Sequence, residues 1–412
     1  MSVVASKHAA SVRRPQVELA DVFARYGDAY QETHPVRPSQ AKVMRAIVAC
    51  RTALLGGRRE WCQRCGFERY LYHSCRNRHC PKCQSLAKAS WLADREREVL
   101  PVPYFHNVFT LPHELNPLIL FSQKNQRALL NLLFQAASQT LLEFGRNNLG
   151  GKVGFTMVLH TWDQQLRPHF HVHVVIASGA LAQDGRWIAG GSEYLFPVRA
   201  LSQVFRAKYR DRLAELFQQN QLDVPPQLAG PAAHRQWWRK LTRKPWVVYS
   251  KQPFRGAKKL LDYLGRYTHR VAISNHRVIS CQDGQVRFTY RDRRDGDQKK
   301  TLLLSAVAFI GRFLAHVLPD NFMRVRHYGF LASRVKNECL AQCREALGSS
   351  PPDAVSVPTN AGEWMMLLTG QDITRCPCCN GPLMSEPLAP QSSHHKLSTP
   401  SSIPTPDFCD SS

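Results

Sequence analysis

Three histidines occupy alternate positions in the apolar run HFHVHVV, residues 169–175. Because successive side chains of a strand point to opposite faces, His169, His171 and His173 would project together from one face. The apolar residues between them would pack on the other face. Imidazoles placed side by side can share one divalent ion, and an ion with open coordination positions suits phosphate chemistry. The run therefore predicts a strand that binds a catalytic Mg²⁺ or Mn²⁺.

Two tyrosines, Tyr263 and Tyr267, stand four residues apart in the predicted helix AKKLLDYLGRYTH. At that spacing both hydroxyls emerge on one helix face, and Arg266 and Arg270 flank them. Two tyrosines at helical spacing are, by themselves, more typical of a protein core. Beside a metal-binding strand, however, a tyrosine oxygen can attack a phosphodiester and hold the DNA covalently. Arginines can stabilise the charge that develops, so all four residues are predicted to be catalytic.

The N-terminal region holds cysteines with the spacing of metal ligands. Cys62 and Cys65 form one Cys-x2-Cys pair, and Cys80 and Cys83 form another. Two such pairs can form one tetrahedral thiolate site around a structural Zn²⁺. The alternative, a set of buried free thiols, would not explain why the cysteines occur in pairs. Cys75 lies between the pairs and could replace one of the four ligands.

The C-terminal region holds a further pair and a polar tail. Cys376 and Cys379, in the string RCPCCNGPL, make half of a metal site and are the candidates for a second zinc. From about residue 384 the Ser- and Pro-rich sequence is too polar to bury much surface. That tail is predicted to be disordered.

The chain is strongly basic, with 55 Lys and Arg against 31 Asp and Glu and a formal net charge of +24. An excess of this size favours a polyanionic partner, because each neutralised phosphate releases counterions. Lys and Arg residues alternate with the N-terminal cysteines. These cations could contact the DNA backbone, or they could be ordinary solvated surface charges. The cations predicted to bind DNA there are Arg64, Arg69, Arg76, Arg78 and Lys82.

Nothing in the sequence indicates a membrane protein. A spanning helix needs about 18 or more consecutive apolar residues, and no such run occurs. The N-terminal residues also lack the apolar core of a secretory signal. We expect a soluble cytoplasmic protein, associated with the nucleoid through its DNA partner.

The helices and strands that the sequence predicts around these residues indicate an α+β fold. Strand composition at YFHNVFTLP, KVGFTMVLHTW and HFHVHVVIA, a hairpin around a DG turn and helical periodicity elsewhere favour an antiparallel sheet with helices. The predicted domains are an N-terminal extension (1–39), a zinc-binding DNA-contact domain (40–100), a catalytic domain (101–345), an appendix with the last Cys-x2-Cys pair (346–383) and the tail (384–412).

Long strings of the sequence resemble one particular family. CRNRHCPKC, VFTLPHEL, LHTWDQ, HFHVHVVIASGAL and YLGRYTHRVAISNHRV resemble the HUH transposases of rolling-circle insertion sequences, the family that carries a tyrosine pair. The resemblance implies an HUH-nuclease-like antiparallel sheet with flanking helices, preceded by a small zinc-binding module. It also implies that His171 and His173 are the metal-binding pair, with His169 as an additional histidine, and that Tyr263 and Tyr267 are the nucleophiles.

Two positions depart from the family pattern. Members often read His-Pro-His-Val-His, whereas this chain has Phe170, which still suits a strand. The third metal ligand is also not evident, because Val271 stands where some single-tyrosine relatives place a glutamine one turn after the nucleophile. His160, on the neighbouring predicted strand, is the predicted substitute, and Gln164 is a weaker one.

The resemblance implies cleavage of single-stranded element ends and target DNA through a 5′-phosphotyrosine, leaving a free 3′-OH. The sequence has no P-loop of the form G-x-x-x-x-G-K-[ST], so strand separation would come from host replication or helicase machinery. Two other interpretations stay open. One is an HUH replication initiator or relaxase with the same chemistry, and the other is a non-catalytic zinc regulator that only binds DNA.

Overall fold

A computed structural model describes residues 15–254, 259–261, 263, 265, 268–350 and 358–391. These residues form helices and antiparallel sheets, so the predicted α+β class is confirmed. The helices are α1 (Leu19–Thr33), α2 (Pro38–Ala49), α3 (Gln84–Glu96), α4 (Asn116–Phe121), α5 (Gln123–Phe144), α6 (Val198–Gln218), α7 (Pro226–Ala229), α8 (Pro231–Arg243), α9 (Ala306–Leu314), α10 (Lys336–Ala346) and α11 (Ala361–Thr369). The strands are β1 (Gly57–Cys62), β2 (Glu68–Tyr72), β3 (Tyr104–Thr110), β4 (Gly154–Trp162), β5 (Pro168–Ala177), β6 (Gly179–Leu181), β7 (Trp187–Ala189), β8 (Val248–Phe254), β9 (Val278–Gln282), β10 (Gln285–Asp292), β11 (Gln298–Ser305), β12 (Val325–Gly329) and β13 (Leu383–Leu388).

The largest sheet has the strand order β12-β4-β5-β3-β8, with the histidine strand β5 at its centre. In the antiparallel register, His171 of β5 lies opposite His160 of β4 and Thr110 of β3. Directly paired residues of antiparallel strands point to the same face of the sheet. The imidazoles of β4 and β5 therefore emerge together.

The other face of the sheet is the main hydrophobic core. Phe170, Val172 and Val174 are buried there and pack with residues of α5 and α6 such as Leu133 and Phe205. Each such side chain contributes roughly 1.5–3 kcal/mol by leaving water. The predicted division of β5 into a histidine face and an apolar face is confirmed, and the packing of the apolar face fixes the direction of the histidines.

A second core joins the N-terminal helices α1 and α2 to the segment that contains β9, β10, β11 and α9. Val22 and Phe23 of α1 and Ile47 of α2 are buried in one cluster with Phe288 of β10 and Phe309 of α9. Helix α1 lies within residues 1–39, the predicted N-terminal extension, and packs into this core. Its apolar side chains recur at three- and four-residue spacing and cover the β9–β10–β11 sheet and α9.

A small sheet of order β13-β1-β2 brings the C-terminal segment to the N-terminal module. All six residues of β13 pair with β1, from Gly57 opposite Leu388 to Cys62 opposite Leu383. The predicted disordered tail is therefore wrong at its start, because residues 384–388 belong to a strand whose amides are paired by β1. The strand tolerates Pro387 because β13 is at the sheet edge. Residues 392–412 lie outside the described residues.

Gly329, at the end of β12, is a position where we expect a large loss of stability on substitution. Its φ is +64°, and a Cβ there would lie 1.6 Å from the carbonyl oxygen of Val153. Replacement Gly329→Ala should lower the free energy of unfolding by about 3 kcal/mol or more, because backbone strain and a backbone clash add. Urea denaturation monitored by circular dichroism measures the change.

Gly348 provides the matched control for this substitution. Its φ is +60°, yet no atom lies within 4 Å of the place its Cβ would take. Gly348→Ala should therefore cost only the left-handed backbone penalty of about 1–2 kcal/mol. Equal losses in the two variants would show that the contact between Gly329 and Val153 is not as close as described.

Candidate active site and cysteine clusters

The histidine face of the large sheet carries three imidazoles that converge. His160, His171 and His173 are buried, and each offers a ring nitrogen that lies within 4.8 Å of the other two. The Nε2 atoms of His171 and His173 are 3.2 Å apart, and the His160 ring stands edge-on to both at centroid distances of 5.5 and 4.6 Å. The structure thus brings the predicted pair together with His160, and we call these three residues the histidine triad. Metal binding by the triad stays a prediction.

The protonation of His171 and His173 suits a metal ion. Nδ1 of His171 lies 2.8 Å from the backbone oxygen of His169, so Nδ1 donates its proton there and Nε2 keeps a lone pair. Burial, followed by the charges of His160 and His169, holds the pKa of His171 well below its usual value. Burial and the neighbouring imidazoles do the same for the pKa of His173. Neutral imidazoles with free lone pairs are the form that binds a divalent ion.

His169 does not join the triad, so its prediction as a further metal ligand is wrong. Its side chain is exposed, whereas those of His171 and His173 are buried. The register of β4 and β5 shifts between His160 and Trp162, so His169 falls at the irregular end of the strand pair. Its backbone oxygen still orients His171, but its ring does not enter the group of converging nitrogens.

A fourth histidine, His106 of β3, connects the triad to a tyrosine. Its Nε2 lies 2.9 Å from Nδ1 of His173 and 2.5 Å from the hydroxyl of Tyr263. Burial, followed by the charge of Lys251, lowers the pKa of His106 to about 3, so the ring is neutral at neutral pH. No sequence motif singles out His106, which is a lone histidine in a predicted strand. The register of β3 on β5 brings it to the site.

The predicted tyrosine helix is only partly described. Tyr263 is helical and buried against Tyr104 and Val175, on the histidine face of the sheet. Arg270 lies near the site, because its charge is among the causes that lower the pKa of His173, after burial and the imidazoles of His160, His171 and His106. The predicted catalytic residues Tyr267 and Arg266 lie outside the described residues.

The N-terminal cysteines form a cluster that differs from the predicted one. Cys50, Cys75, Cys80 and Cys83 have sulfurs within 4.8 Å of one another, with Cys50 Sγ 3.3 Å from Cys83 Sγ and Cys75 Sγ 3.6 Å from it. In a tetrahedral site with Zn–S bonds of about 2.3 Å the sulfurs are about 3.8 Å apart, so this cluster fits Zn²⁺. Cys50, at the end of α2, was missed because it belongs to no Cys-x2-Cys pair.

Cys62 and Cys65 belong to a different cluster. Their sulfurs group with those of Cys376 and Cys379, again within 4.8 Å. The predicted four-cysteine site of Cys62, Cys65, Cys80 and Cys83 is therefore wrong in its pairing. The physical reason is the pairing of β1 with β13, which carries Cys62 to the C-terminal segment, whereas Cys80 and Cys83 lie under α2 with Cys50. Cys75 is in a cluster, as the sequence analysis allowed.

Comparison with known proteins identifies the chain. Residues 22–111 match the family "Transposase zinc-binding domain", and residues 154–339 match the family "Putative transposase". The chain is 44% identical over 372 residues to "Putative transposase y4qJ" of Sinorhizobium fredii, with 88% of this chain and 93% of the relative covered. It is 31% identical over 325 residues to "Transposase for insertion sequence element IS801" of Pseudomonas savastanoi, with 77% and 76% covered. The chain belongs to this family of insertion-sequence transposases.

Solved structures resemble the transposase only distantly. One is a conjugative relaxase TrwC in complex with oriT DNA, at 14% identity and a TM-score of 0.21 over 39% of this chain and 68% of that chain. A second TrwC–DNA complex has 13% identity and a TM-score of 0.22 over 60% and 74%. Scores of this size support no conclusion about the transposase. In the part of the chain that the structure describes, no helix could cross a membrane.

Three of the five cations predicted to bind DNA are engaged within the transposase. Arg78 donates to the carbonyls of Pro319 and Phe322, Arg69 pairs with Glu60, and Lys82 pairs with Glu18. Burial lowers the pKa of Arg78. The structure thus gives these three cations a role in folding. Arg64 and Arg76 are exposed, and DNA binding by them stays a prediction.

The buried neutral histidines predict acid sensitivity of the transposase. Burial lowers the pKa of His316 to about 4, and its ring contacts the oxygens of Leu166 and Thr161. In the unfolded chain the pKa is about 6.5. The unfolded state therefore binds more protons between these values, so the free energy of unfolding falls as the pH drops below about 6.5.

The variant His316→Gln isolates this contribution, because the other titrating groups are common to both proteins. Between pH 6 and pH 5 the slope of unfolding free energy against pH should be smaller in the variant by about 1.4 kcal/mol per pH unit. Urea unfolding across that pH range measures both slopes. Identical slopes would mean that His316 is charged in the folded transposase.

Proposed function

We propose that the transposase cuts and rejoins single-stranded DNA at the ends of its own insertion sequence, and that Tyr263 holds the DNA through a 5′-phosphotyrosine. The supporting observation is the chain of contacts from the Tyr263 hydroxyl through His106 to His173. These contacts support the proposal because the Tyr263 hydroxyl would then act as the nucleophile next to imidazoles that could hold a divalent ion. The similarity to the transposase for insertion sequence element IS801 supports the proposal that the DNA substrate is an insertion sequence.

In the proposed reaction the Tyr263 oxygen attacks the phosphorus, the P–O3′ bond breaks, and the 3′ oxygen takes up a proton to leave as a 3′-OH. The proposed acceptor for the phenol proton is Nε2 of His106, which lies 2.5 Å from the Tyr263 hydroxyl. Mg²⁺ or Mn²⁺ held by the histidine triad would polarise the phosphate oxygen, and Arg270 would oppose the negative charge. Attack by a 3′-OH on the phosphotyrosine reverses these steps, so strand transfer needs no external energy.

The second tyrosine, Tyr267, is proposed to carry out the second DNA cleavage. Tyr267 would cut the other element end or the target while Tyr263 still holds the first strand. The free 3′-OH would prime synthesis that displaces one strand in a rolling-circle manner. The absence of a P-loop motif from the sequence is the reason that host replication or helicase proteins are proposed partners.

Covalent capture of DNA tests the proposal. Purified transposase is incubated with end-labelled single strands from each end of its element, with Mn²⁺, with Mg²⁺ or with EDTA, and run on a denaturing gel. The expected result is a labelled protein–DNA adduct that requires the ion and a released fragment bearing a 3′-OH. Sequence-specific binding without any adduct, with both ends and both ions, would instead favour a regulator that only binds DNA.

His106 is proposed to position both the metal ligand and the nucleophile. It contacts Nδ1 of His173, and partners of that kind set the orientation and tautomer of a ligating imidazole. His106→Gln should therefore raise the Mn²⁺ concentration for half-maximal cleavage by about 10–100-fold. Titration of the cleavage rate with Mn²⁺ measures this shift. His327→Gln removes a half-buried ring, bonded to Thr156, and should leave the Mn²⁺ requirement unchanged.

A further inference from the structure

The cluster of Cys62, Cys65, Cys376 and Cys379 joins the two ends of the described chain. We propose that these four thiolates bind one Zn²⁺ in a zinc ribbon, and that this ion fastens the C-terminal segment, residues 358–391, to the N-terminal module. The inference is independent of the DNA chemistry proposed above. It concerns a metal site whose halves are 311 residues apart, measured from Cys65 to Cys376.

The two halves of the site have the same backbone conformation. The amide of Cys62 donates to the carbonyl of Phe67 at 2.8 Å, and the amide of Cys376 donates to that of Gly381 at 2.8 Å. Each turn is closed by an amide four residues after its first cysteine, from Gly66 to Cys62 at 3.0 Å and from Asn380 to Cys376 at 2.9 Å.

Both closing residues have a left-handed backbone, with φ of +72° at Gly66 and +56° at Asn380. In that conformation backbone amides point at the sulfurs. Arg64 and Cys65 donate to Cys62, and Gly381 donates to Cys379. Two matching turns, each offering two thiolates, are the local structure that a tetrahedral zinc site needs.

The sulfur positions meet the same requirement. Cys62 Sγ lies 3.4 Å from Cys379 Sγ, and Cys65 Sγ lies 3.5 Å from Cys376 Sγ, so each half faces the other. A tetrahedron with Zn–S bonds of about 2.3 Å has edges of about 3.8 Å. The pairing of β1 with β13 thus brings the Cys62–Cys65 pair next to the Cys376–Cys379 pair.

The C-terminal segment has no hydrophobic core of its own. Among residues 358–391 only Cys376 and Gly381 are buried, and Met366 and Leu367 of α11 are more than half exposed. A segment this small cannot fold by hydrophobic burial, and a structural metal commonly takes that role. Its other attachments include the strand pairing with β1, the ion pair of Arg59 with Glu386, the bond from Arg69 to the carbonyl of Ile373 and the bond from the Gln391 amide to the carbonyl of Ala53. These contacts are polar, so zinc is expected to determine whether the segment stays docked.

The test uses the full chain with a specific protease site inserted within residues 351–357. The protein is purified with Zn²⁺, its zinc content is measured by atomic emission, and it is then cut and passed over a size-exclusion column. The expected result is two Zn²⁺ per chain and co-elution of the C-terminal fragment with the rest. The variant Cys376→Ser/Cys379→Ser should hold one Zn²⁺, in the cluster of Cys50, Cys75, Cys80 and Cys83. After cutting, its C-terminal fragment should separate from the rest of the protein.

Cys378→Ser is the matched control, because Cys378 lies between the two ligands but is exposed and outside the cluster. It should keep two Zn²⁺ and its fragment. If the double variant cannot be purified, removal of zinc from the cut parent protein by a chelator should release the fragment, and its return with Zn²⁺ alone should restore co-elution. One Zn²⁺ in the parent protein, or retention of the fragment in the double variant, would overturn the proposal.

Discussion

His171→Ala is expected to lower the rate of DNA cleavage by about 10³-fold or more, since it would remove a ligand from the proposed ion, which would contribute several kcal/mol to the transition state. Nε2 of His171 keeps a lone pair because Nδ1 is committed to the His169 carbonyl, and it faces Nε2 of His173 at 3.2 Å. The measurement is the single-turnover rate of cleavage of a labelled element end at saturating Mn²⁺.

His169→Ala is the matched control for this loss. It removes an imidazole from the same strand, two residues away, whose ring is exposed and outside the triad. The backbone carbonyl that orients His171 remains in place. Cleavage by the control should stay within a few-fold of the parent rate. If both variants, or neither, lose activity, the assignment of the triad to His160, His171 and His173 is wrong.

Tyr263→Phe is expected to abolish the covalent adduct at the first element end, with a fall of at least about 10³-fold, because a ring without the hydroxyl oxygen cannot form a phosphotyrosine. Tyr267→Phe should still form that adduct but fail to complete strand transfer to a second DNA. The reason for this order is the contact of the Tyr263 hydroxyl with His106 at 2.5 Å. Adduct and strand-transfer products are resolved on one denaturing gel.

Tyr104→Phe is the control for the loss of a buried tyrosine oxygen. Tyr104 packs in the same cluster as Tyr263, and its hydroxyl accepts a bond from the Leu100 amide. Its loss should cost about 1 kcal/mol of stability and leave the adduct. An adduct that persists in Tyr263→Phe and disappears in Tyr267→Phe would reverse the proposed order of the nucleophiles.

Local patterns were sufficient to predict the histidine strand. Alternation of imidazole and apolar side chains from His169 to Val175 reports the period of a strand, and burial of Val172 and Val174 in the main core confirms its two faces. The apolar side must be buried, so the register of β5 is strongly determined. Strand period alone could not show that His169 lies at the irregular end of the β4–β5 pair.

The features that the sequence did not reveal depend on contacts between distant segments. A Cys-x2-Cys spacing specifies half of a zinc site, but the choice of its other half is made by packing. Here β1 pairs with β13, more than 300 residues away. Neither strand has the regular alternation of buried and exposed residues that would predict it. His106 gave no local signal for the same reason. A lone histidine becomes part of a site only when the register of β3 on β5 sets it beside His173.

The most direct test of the central claim is to locate the bond between protein and DNA. The adduct is digested with nuclease and trypsin, and the peptides that carry a nucleotide are sequenced by mass spectrometry. Cleavage after Lys259 and Arg266 separates Tyr263, in residues 260–266, from Tyr267, in residues 267–270. We expect a 5′-linked nucleotide on Tyr263 when one element end is supplied with Mn²⁺. A nucleotide on a serine, a histidine or any tyrosine outside this pair would contradict the proposed active site.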